Sequence, residues 1–113
     1  MSKQWGSGYY TGIKAAQENG NTLTGLYFHS FNCGKIEWQG RVVRDLKNGS
    51  YLVQLLEWAT GCPAFQKVVS FEDMREWKFY QTDSDMRYEY SKLSGMSNED
   101  FEWSEMIIKQ MLL

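Results

Sequence analysis

A chain of 113 residues, 42% hydrophobic and 23% charged, suits one globular domain, because a second core needs a longer chain. Twelve Lys and Arg against fourteen Asp and Glu leave a formal charge of −2, which is not the polycationic surface that holds duplex nucleic acid. Five Trp, seven Tyr and six Phe, beside one Pro and one His, give a chain able to bury much area per residue. With no run of about 18 apolar residues there is no expected transmembrane helix, and MSKQWGSGYYTG lacks the apolar stretch of a secretory signal. The expectation is a cytoplasmic protein whose two cysteines, Cys33 and Cys62, stay reduced.

In chain order, residues 1–25 are rich in glycine and poor in aliphatics, which reads as a flexible N-terminal arm with one short helix around residues 13–18 and little share in the core. Residues 26–80 are dense in β-branched and aromatic residues and read as five strands. Residues 26–31 form the first, turning at Asn32-Cys33-Gly34-Lys35. The second, residues 36–45, turns at Lys47-Asn48-Gly49-Ser50 into the third, residues 51–58, as an antiparallel hairpin. A fourth covers 65–70, a single 3₁₀ turn fits within 71–76, and 77–81 supply the last strand. Gly40 interrupts the alternation of Ile36, Trp38 and Val42 against Val43, which predicts a bulge or sharp bend.

Short, bent antiparallel strands with a 3₁₀ turn before the last describe a mainly β fold with C-terminal α structure: a five-stranded SH3-like barrel, with an OB-like barrel as runner-up. The third strand is apolar on both faces, with Tyr51, Val53 and Leu55 on one and Leu52, Leu56 and Trp58 on the other, so a second layer must cover it. Residues 81–113 change to helical spacing and carry seven carboxylates against three basic residues. Thr82 or Asp83 can cap a helix reaching Leu93, with Met86, Tyr90 and Leu93 on one face. After a break at Leu93-Ser94-Gly95-Met96, residues 101–112 form a second helix with a wide apolar face, packed on the barrel, on a partner, or on a second copy as a homodimer contact.

The chemical constellations are weak. His29, Cys33 and Cys62 make no four-ligand metal set, and neither cysteine sits where a helix N-terminus would activate it. Glu37 and Glu57 on neighbouring strands read as surface carboxylates beside Arg41, Arg44 or Lys67. Gly6-Ser7-Gly8 precedes no lysine followed by Ser or Thr, so it is not a phosphate loop. Neither an enzyme nor a cofactor is expected. Seven basic residues against six acids over 26–80 leave only a local basic patch, Arg41, Arg44 and Lys47, for nucleic acid. The rings placed to anchor a partner are Tyr27, Trp38 and Trp58.

The run Glu37-Trp38-Gln39-Gly40-Arg41-Val42-Val43, followed by a glycine turn and Tyr51-Leu52-Val53, resembles the core of the plasmid-encoded type II dihydrofolate reductases, which are small SH3-like barrels. That resemblance implies the fold alone, because the family's Val-Gln-Ile-Tyr active-site strand would match Gln66-Lys67-Val68-Val69 here, without its Gln and Tyr roles. Gly25-Leu26-Tyr27-Phe28-His29-Ser30-Phe31 through Trp77-Lys78-Phe79-Tyr80 is similar to small uncharacterised bacterial proteins of plasmids and other mobile elements. The resulting expectation is a non-enzymatic bacterial protein-binding module, with a nucleic-acid-binding domain as the alternative.

Overall fold

Turn chemistry sets the strand pairing. In the computed structural model, which describes residues 9–57 and 63–93, Cys33 and Gly34 both take positive φ, 53° and 79°. Such a two-residue turn matches the twist of the strands it joins, and it pairs β2 (Tyr27–Asn32) with β3 (Lys35–Asp45). At the next, longer turn Lys47 and Gly49 also take positive φ, 65° and 85°. There Asp45 accepts from the Lys47 N–H, Asn48 accepts from the Ser50 N–H, and β4 (Ser50–Leu56) follows. β5 (Pro63–Ser70), α2 (Phe71–Met74), β6 (Lys78–Tyr80) and α3 (Asp83–Leu93) complete the order, after β1 (Tyr10–Thr11) and α1 (Gly12–Glu18) at the start.

The fold is mainly β. All pairings are antiparallel and the strand order is β1-β6-β2-β3-β4-β5, a six-stranded sheet that is not closed. Only seven residues separate Ser70 at the end of β5 from Lys78 at the start of β6, yet three strands lie between them in the sheet. A flat sheet would place β5 and β6 about 19 Å apart at roughly 4.8 Å per strand, and the link spends four residues on a helical turn that rises only about 1.5 Å each. The sheet therefore curls, and Val69 of β5 joins Phe79 of β6, Phe28, Val42 and Val53 in one core. Register shifts at Ser30/Phe31, Val42/Arg44 and Gln54/Leu56 bend three strands. At Gly40 a Cβ would run into the Gln54 carbonyl and lie 2.9 Å from Phe28 Cζ.

The N-terminal residues correct one expectation. Ala15 of α1 and Leu23 are completely buried in the core, and β1 adds a sixth strand beside β6. The glycines that suggested a detached arm permit close docking instead: Gly12 donates its N–H to the Arg75 carbonyl at 3.1 Å, and a Cβ there would press on the Met74 carbonyl. A second correction concerns the covering layer. Thr82 caps α3 by accepting from the Asp85 N–H at 3.0 Å, and α3 lies over β2 and β6 rather than over the second face of β4. Beneath it Met86, Tyr80, His29 and Gln39 are buried apart from the main core. The second C-terminal helix expected at 101–112 lies outside the described residues. Among the described residues no helix is long and apolar enough to cross a membrane.

Two substitutions test these assignments. Leu23→Ala is expected to cost about 2–5 kcal/mol through the cavity it leaves, read as a lower urea midpoint, whereas a detached arm would leave the midpoint unchanged. Gly40→Ala is expected to cost about 1–3 kcal/mol by overpacking, read in the same way.

Candidate functional site

Where the curled sheet runs out at its β5 edge, side chains of the core face emerge into solvent. Phe65 and Lys67 alternate onto the face that carries Val53, and Trp38 stands beside them on β3. The Phe65 ring meets Trp38 edge-on at 5.9 Å, and Lys67 Nζ lies over the Trp38 ring at 5.7 Å. Across from them Trp77 follows α2 and stacks on Phe28 at 4.8 Å, which fixes its plane against the core. Trp38, Trp77 and Phe31 line an open cleft of about 410 Å³, with Lys67, Glu37 and Asp73 among its walls.

The local sequence explains each wall. Ser70 caps α2 by accepting from the Asp73 N–H at 3.2 Å, which orients the short helix and sets Asp73 in its first turn. Glu37 accepts from Asn32 Nδ2 at 3.3 Å across the β2–β3 hairpin. Two half-buried indoles on rigid supports, with two carboxylates and one ammonium, form a surface that grips apolar rings and attracts a cationic side chain. The residues offer contact and steering rather than a paired acid and base.

The sequence-predicted site residues do not converge on one place. Trp38 lies in the cleft. Tyr27 lies on the other face of the sheet, half-buried, with the Arg41 guanidinium stacked over its ring at 5.4 Å. Trp58 lies outside the described residues, as does Cys62. Arg41 pairs with Gln54 of β4, and Arg44 pairs with Leu52 beyond a bulge. Lys47 sits in the β3–β4 turn, its Nζ 3.8 Å from Asp45. Cys33 is exposed in its turn and His29 is buried, so these two are separated by burial. Sequence reasoning missed Phe65, Lys67 and Asp73. Parity alone could have placed Phe65 and Lys67 together, but which face emerges at the edge depends on strand order.

Buried His29 and Gln39 form a chain of hydrogen bonds with Tyr80 beneath α3. Gln39 Nε2 donates to the Glu57 carbonyl at 3.0 Å, which turns Gln39 Oε1 toward His29 Nε2 at 3.2 Å. That oxygen can only accept, so the imidazole proton resides on Nε2, and Nδ1 accepts from the Tyr80 hydroxyl at 2.7 Å. The chain runs from β6 through β2 and β3 to the end of β4. Burial holds the His29 pKa down to about 4, partly opposed by the Gln39 hydrogen bond and reinforced by the charge of Lys78. Burial likewise pushes the Tyr80 phenol well above its ordinary value, with Glu89 and Tyr9 adding to the shift.

No protein-family model, curated protein or solved structure matches this chain.

The histidine makes a signed prediction. Its folded-state pKa lies below the unfolded value near 6.5, so between those values the unfolded chain binds the proton first and stability falls as pH drops. The loss amounts to about 3 kcal/mol by pH 4, and is absent in His29→Gln. Urea midpoints of both proteins from pH 7.5 to 4 check this, because their difference cancels the carboxylate contribution they share.

Proposed function

We propose that the chain is a non-enzymatic protein-binding module with SH3-like architecture, seating an extended segment of a partner protein in the cleft between Trp38 and Trp77. The observation that carries this reading is the cleft itself: two indoles held by packing, an exposed Phe65 at the rim, and carboxylates from Glu37 and Asp73 beside them. Rigid aromatic surfaces are where binding energy concentrates, since they exclude water over a large area with little ordering cost. The partner segment that fits carries apolar or proline rings for the indoles and an Arg or Lys for the carboxylates.

The strand order supports the SH3-like part. β6 lies beside β2, β3 and β4 follow as a meander to β5, and the path from β5 to β6 is interrupted by the single turn of α2. Such an order would suit a partly open five-stranded barrel with β1 as an addition. The resemblance of the Glu37–Val43 run to small SH3-like barrels agrees with it, and that of Gly25–Phe31 through Trp77–Tyr80 to small bacterial proteins favours a bacterial, cytoplasmic setting. Nucleic acid is the weaker reading, because the cleft carries Glu37 and Asp73 and Lys47 is close to Asp45.

Selection of phage-displayed decapeptides on the immobilised protein tests the proposal. Enrichment of sequences pairing proline or aliphatic residues with Arg or Lys is expected, with affinity reduced at least tenfold by Trp38→Ala and several-fold by the double variant Glu37→Gln/Asp73→Asn. Failure to enrich any peptide, together with single-stranded DNA binding that falls steeply with salt, would replace this reading with the nucleic-acid one.

A further inference from the structure

The two edges of the sheet differ in kind. β1 ends one with two residues, whereas β5 ends the other with eight, and among the described residues no strand lies beyond it. Pro63 to Val68 are all exposed. From Gln66 to Ser70 the register with β4 runs without a shift, and no proline or bulge blunts the edge there. Which backbone groups are free follows from one hydrogen bond. Phe71 donates its N–H to the Gly49 carbonyl at 2.8 Å, and successive residues of a paired strand point their backbone groups to alternate sides. Val69 and Lys67 therefore face β4, while Gln66 and Val68 turn their N–H and C=O outward. The cleft of Trp38 and Trp77 reaches this edge, because Val68 lines it although the Val68 side chain shares the outer face with Leu52.

We propose that the partner segment binds by strand addition, pairing its main chain with the outward groups of Gln66 and Val68 as a further strand beside β5. This rests on the reading of the cleft as a peptide site and names how that site takes its ligand. Side chains of an added strand alternate between faces as those of β5 do. Those on the inner face, in line with Lys67 and Val69, enter the cleft toward Trp77 and Asp73. The occupant is thus an extended segment of another protein with apolar and Arg or Lys residues at every second position, the cation answering Glu37 and Asp73. Main-chain bonds contribute affinity whatever the intervening residues are. Proline is admitted only where the segment's own N–H points away from β5.

Amide exchange by NMR with light scattering, and anisotropy titrations of a labelled synthetic decapeptide from the phage selection, test this on the full chain. In the free monomer the amides of Gln66 and Val68 are expected to exchange fast and those of Lys67 and Val69 slowly, and the decapeptide then slows Gln66 and Val68 by about tenfold or more. Val68→Pro removes an outward N–H without touching the ladder to β4. It is expected to weaken the decapeptide about tenfold, while Val68→Thr leaves the affinity within about twofold. N-methylation of single amides along the decapeptide reads the same pairing from the other side, with loss at alternate positions only, and decides the matter even if Val68→Pro does not fold. Binding that Trp38→Ala abolishes but N-methylation at every position spares would overturn strand addition and leave the cleft reading standing. No binding of any decapeptide would overturn both. Gln66 and Val68 amides already protected in the free protein, whether as a monomer or with a doubled mass, would also overturn the proposal, since the edge would then be taken by the chain itself or by a second copy.

Discussion

The contact between Phe28 and Gly40 is the constraint on which the rest of the structure depends. These residues are paired across β2 and β3, and the ring of Phe28 occupies space that any side chain at position 40 would need. The Gln54 carbonyl crowds the same Cβ position more tightly still. A residue without a Cβ therefore allows β2, β3 and β4 to approach and bend around one ring. The bend in turn allows a link of seven residues to carry the chain from one edge of the sheet to β6 beside β2. Without it Val69 of β5 and Phe79 of β6 would not share one core.

From that bend come two faces with different uses. On the inner side Phe28 is packed by Trp77 and Phe79, and the same stacking that fills the core presents Trp77 to the cleft. One ring thus belongs both to the core packing and to the cleft wall, which holds that wall against the core behind it. On the outer side the sheet is divided. Over β2 and β6 a satisfied polar chain, Tyr80 to His29 to Gln39 to the Glu57 carbonyl, ties four strands together under α3. Such a buried network specifies one arrangement because every member depends on its neighbours for hydrogen bonds. Over β3 to β5 the same side carries Arg41, Arg44, Leu52 and Val68.

Much of this was legible in the residues. Asn48-Gly49 and Cys33-Gly34 marked both hairpin turns, the alternation of Tyr51, Val53 and Leu55 marked the inner face of β4, and Thr82 marked the start of α3. The break in alternation at Gly40 marked the bend. What was not legible depended on contacts between distant segments. Tyr10–Thr11 becomes a strand only because β6 offers a free edge, and two residues carry no periodicity of their own. Leu23 looked like an isolated aliphatic among glycines and threonines, yet it lies at the centre of the core and its N–H is 3.4 Å from the Tyr51 hydroxyl. The cleft was half visible: Trp38 stood out as an anchor, while Phe65, Lys67 and Asp73 gained meaning only from the strand order that placed the β5 edge opposite α2.

The measurement that bears most directly on this account is a nuclear Overhauser spectrum of the labelled protein, examined at the Phe28 ring. Contacts from its protons to both Hα protons of Gly40 and to the indole of Trp77 are the predicted result, because one bend sets both distances. A Phe28 ring that contacts Trp77 but not Gly40, or neither, would contradict the claim that this bend curls the sheet and builds the cleft.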